Sequence, residues 1–174
     1  MEKGFLNPEE VLNQLDLEEK MIAAEFGCGS GGFTIPLAKR LKDGKVFGLD
    51  IQEEMLSALK SRASVEKVFN IQTIRCDLEK PNGSTLKDNS LDLVLIPNVL
   101  FQVEDKNAIL KEAKRILKKE GKILVIDWKI DAPLGPKEGR VSEKEVKELA
   151  KELGLKTEKE FPAGAYHFSL ILVK

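Results

Sequence analysis

The chain has 174 residues, with 28 basic side chains against 29 acidic ones and a net charge of -1. That length fits one domain with a substantial core, and the charge balance argues against nucleic acid as the partner. No apolar run approaches membrane-spanning length, and Met1 to Pro8 lack the apolar core of a signal peptide, so no membrane role and a cytoplasmic location are expected.

In chain order, Asn7-Pro8-Glu9-Glu10 reads as a helix start: an N-cap, a proline at the first helical position and two early carboxylates. Val11, Leu12 and Leu15 give that helix one apolar face, and it should end near Leu15 or Asp16. A buried strand follows at about Met21 to Phe26. Glycines 27, 29, 31 and 32 break it, and a helix pattern resumes at Phe33, Ile35, Leu37, Ala38 and Leu41. Lys45 to Asp50 is a second strand closing on an acid, followed by a helix with Leu56, Leu59 and Ala63 inward. Ile71 to Arg75 and Leu91 to Ile96 are the third and fourth strands, separated by a polar loop through Pro81-Asn82-Gly83-Ser84. Asn107 to Lys119 is an amphipathic helix closed by Glu120-Gly121, and Ile123 to Trp128 is strand five. Asp131 to Gly139 is a surface loop. Ser142 with Glu145 forms a capping box for the last helix, which Gly154 ends. Two final strands, about Leu155 to Phe161 and Tyr166 to Val173, are joined tightly enough to be antiparallel neighbours. The expected fold is α/β: a Rossmann-like, doubly wound, mostly parallel seven-stranded sheet with an antiparallel last strand.

The organising stretch is Met21 to Gly32, a strand, a glycine turn and a helix start. Such a unit brings a ligand close to bare backbone and to unpaired N–H groups. Gly27, Gly29 and Gly32 also satisfy the spacing of a dinucleotide fingerprint, which keeps an NAD-dependent oxidoreductase as an alternative. Against it, Glu25 suits a cationic ligand better than a pyrophosphate. The chain also has no residues left for a separate substrate domain. Cys28 and Cys76 are the only cysteines and His167 the only histidine, so no metal-ligand set is expected.

Glu25-Phe-Gly-Cys-Gly-Ser-Gly resembles motif I of the class I methyltransferases that use S-adenosylmethionine (SAM). Phe47-Gly-Leu-Asp50, Arg75-Cys-Asp77-Leu, Leu91 to Ile96 with Asn98, and Lys111 to Val125 look like the family's later motifs, in order. The overall flavour is similar to the ubiquinone/menaquinone-biosynthesis group, also called methyltransferase type 11. The resemblance implies a single domain over residues 1–174, with 1–20 as a helical cover, that moves a methyl group from SAM to an acceptor and releases S-adenosylhomocysteine. Asp50 would take the ribose hydroxyls, Ile51 an adenine face, and Asp77 and Leu78 the adenine edge. Glu25 and the backbone of Gly27 and Gly29 would hold the methionine part, Cys28 and Gly31 would also bind the cofactor, and the Asn98 carbonyl would take the ligand ammonium.

The sequence leaves the acceptor open, with a small molecule favoured. The Asn/Asp-Pro-Pro-aromatic signature of amino-group methyltransferases is replaced by Ile96-Pro97-Asn98-Val99. A small or flat acceptor, a partner protein or a second subunit could complete the site. A non-catalytic SAM-binding or partner-binding module is the alternative from another class. Because the last strand is antiparallel, His167 should begin at the ligand edge, where Asp127 from strand five also ends. His167 is then the candidate base and Asp127 the group that orients it.

Overall fold

The computed structural model describes residues 4–174, so the first three residues of the expected cover lie outside it. Seven strands form one sheet: β1 (Ile22–Phe26), β2 (Lys45–Asp50), β3 (Ile71–Arg75), β4 (Leu91–Pro97), β5 (Leu117–Trp128), β6 (Lys156–Ala163) and β7 (His167–Val173). Their order is β3-β2-β1-β4-β5-β7-β6. The first five are parallel, and β7 is antiparallel to both neighbours, as the terminal hairpin requires. Five helices accompany them: α1 (Pro8–Leu12), α2 (Thr34–Arg40), α3 (Glu53–Val65), α4 (Lys106–Ile116) and α5 (Glu143–Glu152).

The central strands are apolar throughout because both faces are covered. Alternate residues face opposite ways. Leu93, Leu95, Leu124 and Ile126 meet α1, α2 and α3 through Leu12, Ile35, Leu37 and Leu59. Val94, Ile96 and Val125 meet α4 and α5 through Ile109, Leu110, Val146 and Ala150. Chain order reverses at β1 and β4, and the carboxyl ends of the strands on either side open a crevice there. Among the described residues, no helix is long and apolar enough to cross a membrane.

Two boundaries differ from the pattern reading. α1 stops at Leu12, since Val11 and Leu12 are already buried and the chain turns beyond them. α4 stops at Ile116, because Leu117 leaves the helix to pair with Leu91 and starts β5 early. The helical-looking lysines after it belong to an irregular strand entry with Glu120 at positive φ.

Candidate functional site

At the reversal, the turn after β1 is held by backbone and one carboxylate. Cys28 N–H donates to the Leu49 carbonyl at 2.9 Å. Asp50 accepts from Gly29 N–H at 2.9 Å through one oxygen and from Gln52 N–H at 3.0 Å through the other. Asp50 therefore fixes the turn and the entry to α3 together, rather than capping α3 from the N-cap position, which Gln52 occupies. Gly27 sits at φ 66, and a Cβ there would lie 2.7 Å from Val99 Cγ2. Only glycine lets the turn pass that close to the segment after β4.

The turn opens onto a cavity of about 390 Å³, within the range of small-molecule sites. Gly27, Gly29, Asp50, Ile51, Asp77 and Leu78 line it, six of the ten residues expected around the cofactor. The other four stand outside the lining. Cys28 is buried with its sulfur against Gly48, and Gly31 faces Leu59 and Ile35. Glu25 is buried behind the turn, where Thr34 at the start of α2 donates its hydroxyl to the carboxyl. Burial pushes that carboxyl up to about 8. The Asn98 carbonyl accepts from Gln102 Nε2 at 2.6 Å, whereas Asn98 Oδ1 is buried with no partner among the described residues.

Met55, Cys76, Val99 and Val103 also line the cavity and were not singled out as cofactor contacts. Met55 is the third residue of α3, in the first turn after the Gln52 N-cap, and so stays beside Ile51 at the helix entry. Cys76 directly precedes Asp77, and burial raises its thiol to about 12, leaving it a neutral wall group. Val99 and Val103 belong to the segment around a 3-10 turn (Leu100–Gln102), which no apolar period announces.

The cleft suits a ligand with a nucleoside and an amino-acid end. It offers apolar faces from Ile51 and Met55 and acidic acceptors from Asp50 and Asp77. Asn98 Oδ1, an acceptor with no donor among the described residues, lies behind this lining rather than in it.

Farther along the same sheet edge, β5 and β7 bring Trp128 opposite His167, with ring centroids 4.1 Å apart. His167 is 3% exposed, and neither ring nitrogen has a partner among the described residues. Burial, with Lys129 and Arg140 nearby, lowers its pKa to about 4, so the imidazole is neutral at pH 7. The N-terminal segment lies over this region. Ala165 N–H donates to the Gly4 carbonyl at 3.0 Å, and the Phe5 and Tyr166 rings are 5.7 Å apart. None of the described residues before Gly27 lines the cofactor-sized cavity.

Asp127 does not orient His167. It pairs with Phe168, one residue out of step with the Trp128–His167 pair, and so faces the opposite side of the sheet. Its carboxylate accepts from Trp128 N–H at 2.8 Å and Phe101 N–H at 3.3 Å, tying the turn after β4 to the end of β5. Burial raises it to about 6.

A family model described as a methyltransferase domain matches residues 17–164. The demethylmenaquinone methyltransferase of Bacillus mycoides (strain KBAB4) is 31% identical over 134 residues, covering 76% of this chain and 55% of that protein. The protein of the same name from Bacillus cereus (strain ATCC 10987 / NRS 248) is 32% identical over 135 residues, with the same coverage. The chain thus spans about half the length of these relatives. The crystal structure of a SAM-dependent methyltransferase from Aquifex aeolicus is similar at a TM-score of 0.87 and 27% identity, over 97% of this chain and 90% of that one. A putative type 11 methyltransferase from Sulfolobus solfataricus is similar at 0.76 and 28%, over 97% and 92%.

Proposed function

The chain belongs to the methyltransferase domain family, and from that premise we propose that it carries the methyl group of SAM to a small planar acceptor held at the Trp128–His167 face. It is a class I SAM-dependent methyltransferase of the type 11 group. The observation that carries the reading is the cavity at the carboxyl ends of the parallel strands, organised by Asp50 through Gly29 and Gln52. Asp50 would receive the ribose hydroxyls, Ile51 and Met55 would flank the adenine, and Asp77 with the Leu78 backbone would read its edge. Asn98 would receive the ammonium. Bound there, SAM supplies a methyl group already activated by its sulfonium, so the protein's work is alignment and exclusion of water.

A planar acceptor is supported by the aromatic wall of Trp128 with His167, Tyr166 and Phe5 nearby. The name of the Bacillus relatives points the same way, since demethylmenaquinone carries a fused ring system. His167 would accept the proton of an acceptor hydroxyl as the methyl bond to sulfur breaks and the bond to the acceptor forms. The product side is then S-adenosylhomocysteine, the methylated acceptor and an imidazolium. An acceptor hydroxyl there would give a buried ring nitrogen the hydrogen-bond partner it lacks among the described residues. Gly4 to Leu6 and the turn between β6 and β7 would cover this face.

The test is incubation with SAM carrying a labelled methyl group and a small-molecule cell extract. Label should appear in an extract fraction with wild-type protein and vanish with Asp50→Ala. SAM binding by calorimetry without transfer to any fraction would instead favour a binding module.

A further inference from the structure

One side chain gathers the carbonyls of the loop after β5. Arg140 Nε donates to the Pro136 carbonyl at 2.5 Å. One terminal nitrogen reaches the carbonyls of Lys129, Ile130 and Ala132 at 3.0, 3.1 and 2.8 Å. The other reaches Leu134 at 2.6 Å. Five carbonyls thus converge on one guanidinium, in a stretch with no helix or strand to satisfy them. The same group lies over the Trp128 ring, 5.9 Å from its centroid, and Trp128 is the ring that meets His167.

Neither Arg140 nor Lys129 forms an ion pair among the described residues. Lys129 Nζ donates to the Ala165 carbonyl at 2.9 Å. The loop also lies directly against this ring. A Cβ at Gly135, which has φ 86, would lie 2.5 Å from Trp128 Cζ3. Glycine there lets the backbone lie on the indole face.

We infer that Arg140 is the positioning residue of the acceptor face: its fork pins residues 129–136 on Trp128 and so fixes the Trp128–His167 wall. This rests on the proposed acceptor reading, since the wall is where that reading puts the acceptor. The shape of the donor matters more than the charge. A planar guanidinium offers five N–H groups in fixed directions, and an ammonium on a flexible stem cannot reach five carbonyls at once. Arg140→Lys keeps the charge and removes the fork. Gly135→Ala keeps the fork and lifts the loop from the ring.

Trp128 is the chain's only tryptophan, so its fluorescence reports this wall without interference. In acrylamide quenching, Arg140→Lys and Gly135→Ala should both expose Trp128 several-fold more than in the wild type. SAM affinity by calorimetry should stay within about twofold, because the cofactor cavity shares no residue with the loop. With the extract fraction that wild-type protein labels, half-saturation should rise by about tenfold for both variants at full SAM occupancy. Unchanged quenching in both variants overturns the inference. So does a fall in SAM affinity that matches the loss of transfer, since that marks general damage to the fold. An absence of labelled product with wild-type protein refutes the acceptor reading instead, and the quenching arm still decides whether Arg140 pins the wall.

Discussion

Glu25→Gln should stabilise the protein, and by an amount that grows with pH. The carboxyl is 2% exposed, its side-chain donor is Thr34, and burial carries it from 4.5 to about 8. A raised carboxyl means that the folded state holds a proton which the unfolded state gives up between those values. Folding therefore becomes progressively less favourable as pH rises through that window, and the cost is absent below it. At roughly 1.4 kcal/mol per pKa unit, the cost is about 1 kcal/mol near pH 5, about 3 near pH 7 and about 4 or 5 above pH 8. Glutamine has the same shape and no charge to desolvate. Urea unfolding of both proteins near pH 5 and above pH 8 gives the difference directly. Asp127 and His167 also titrate in this range, but they are common to both proteins and cancel. A stability gap independent of pH would show that burial does not hold Glu25 neutral. The same linkage reaches the cofactor. SAM is a cation at its sulfonium and S-adenosylhomocysteine is not, so the affinity ratio of SAM to its product should rise with pH in the wild type and flatten in Glu25→Gln.

Asp50→Ala removes the acceptor of two backbone N–H groups as well as the proposed ribose contact, and should weaken SAM by about a hundredfold or more in calorimetry. An affinity within threefold of wild type would, as a rough bound, remove Asp50 from the site. Gly27→Ala puts a Cβ against Val99 at a positive φ and should cost about 1–3 kcal/mol in thermal unfolding, with SAM binding impaired. An unchanged melting temperature would mean that the turn relaxes without strain. His167 has a lowered pKa, so its contribution is full above 6.5 and is lost as pH falls toward about 4. His167→Phe should flatten the acid side of the stability profile while sharply reducing transfer and sparing SAM affinity; an equally steep acid side would place the imidazole in water.

The parts legible in the sequence are those where a local signal and the tertiary demand coincide. Asn7-Pro8 and the Ser142–Glu145 capping box each satisfy orphan N–H groups within one helical turn, so residue type alone reveals them. The glycine turn is legible because a strand, a close backbone approach and a helix start leave no other composition. The entry to β5 was hidden for the opposite reason. Lys118, Lys119 and Glu120 continue a helical pattern, and only the pairing of Leu117 with Leu91, distant in sequence, ends the helix at Ile116. Asp127 misled because strand ends bring residues to one edge regardless of face. The one-residue offset from Trp128 is visible only once β5 and β7 are in register.

The two halves of the ligand edge are built from different materials. On the cofactor side, the parallel strand ends are joined backbone to backbone, and the Asp50 carboxylate ties Gly29 N–H to them. On the proposed acceptor side, the sheet ends in an antiparallel pair, and beyond Trp128 and His167 the two chains share one further backbone bond, from Lys129 N–H to the Tyr166 carbonyl at 2.9 Å. The chain covers that end with the Gly4–Leu6 segment and a loop whose carbonyls have one common donor. Such a cover opens when a few contacts break, because apart from Leu6, which packs against the core, its contacts are local. That difference matches the two tasks. A cofactor common to the family asks for a rigid seat, whereas an acceptor that differs between relatives asks for a wall that changes with a handful of loop residues. Residues that set acceptor choice should therefore concentrate at 129–140 and 164–167, and exchanging that loop with the corresponding segment of the Aquifex protein should alter the labelled fraction while SAM binding stays intact. Loss of SAM binding in that exchange would show that the two halves are one cooperative unit.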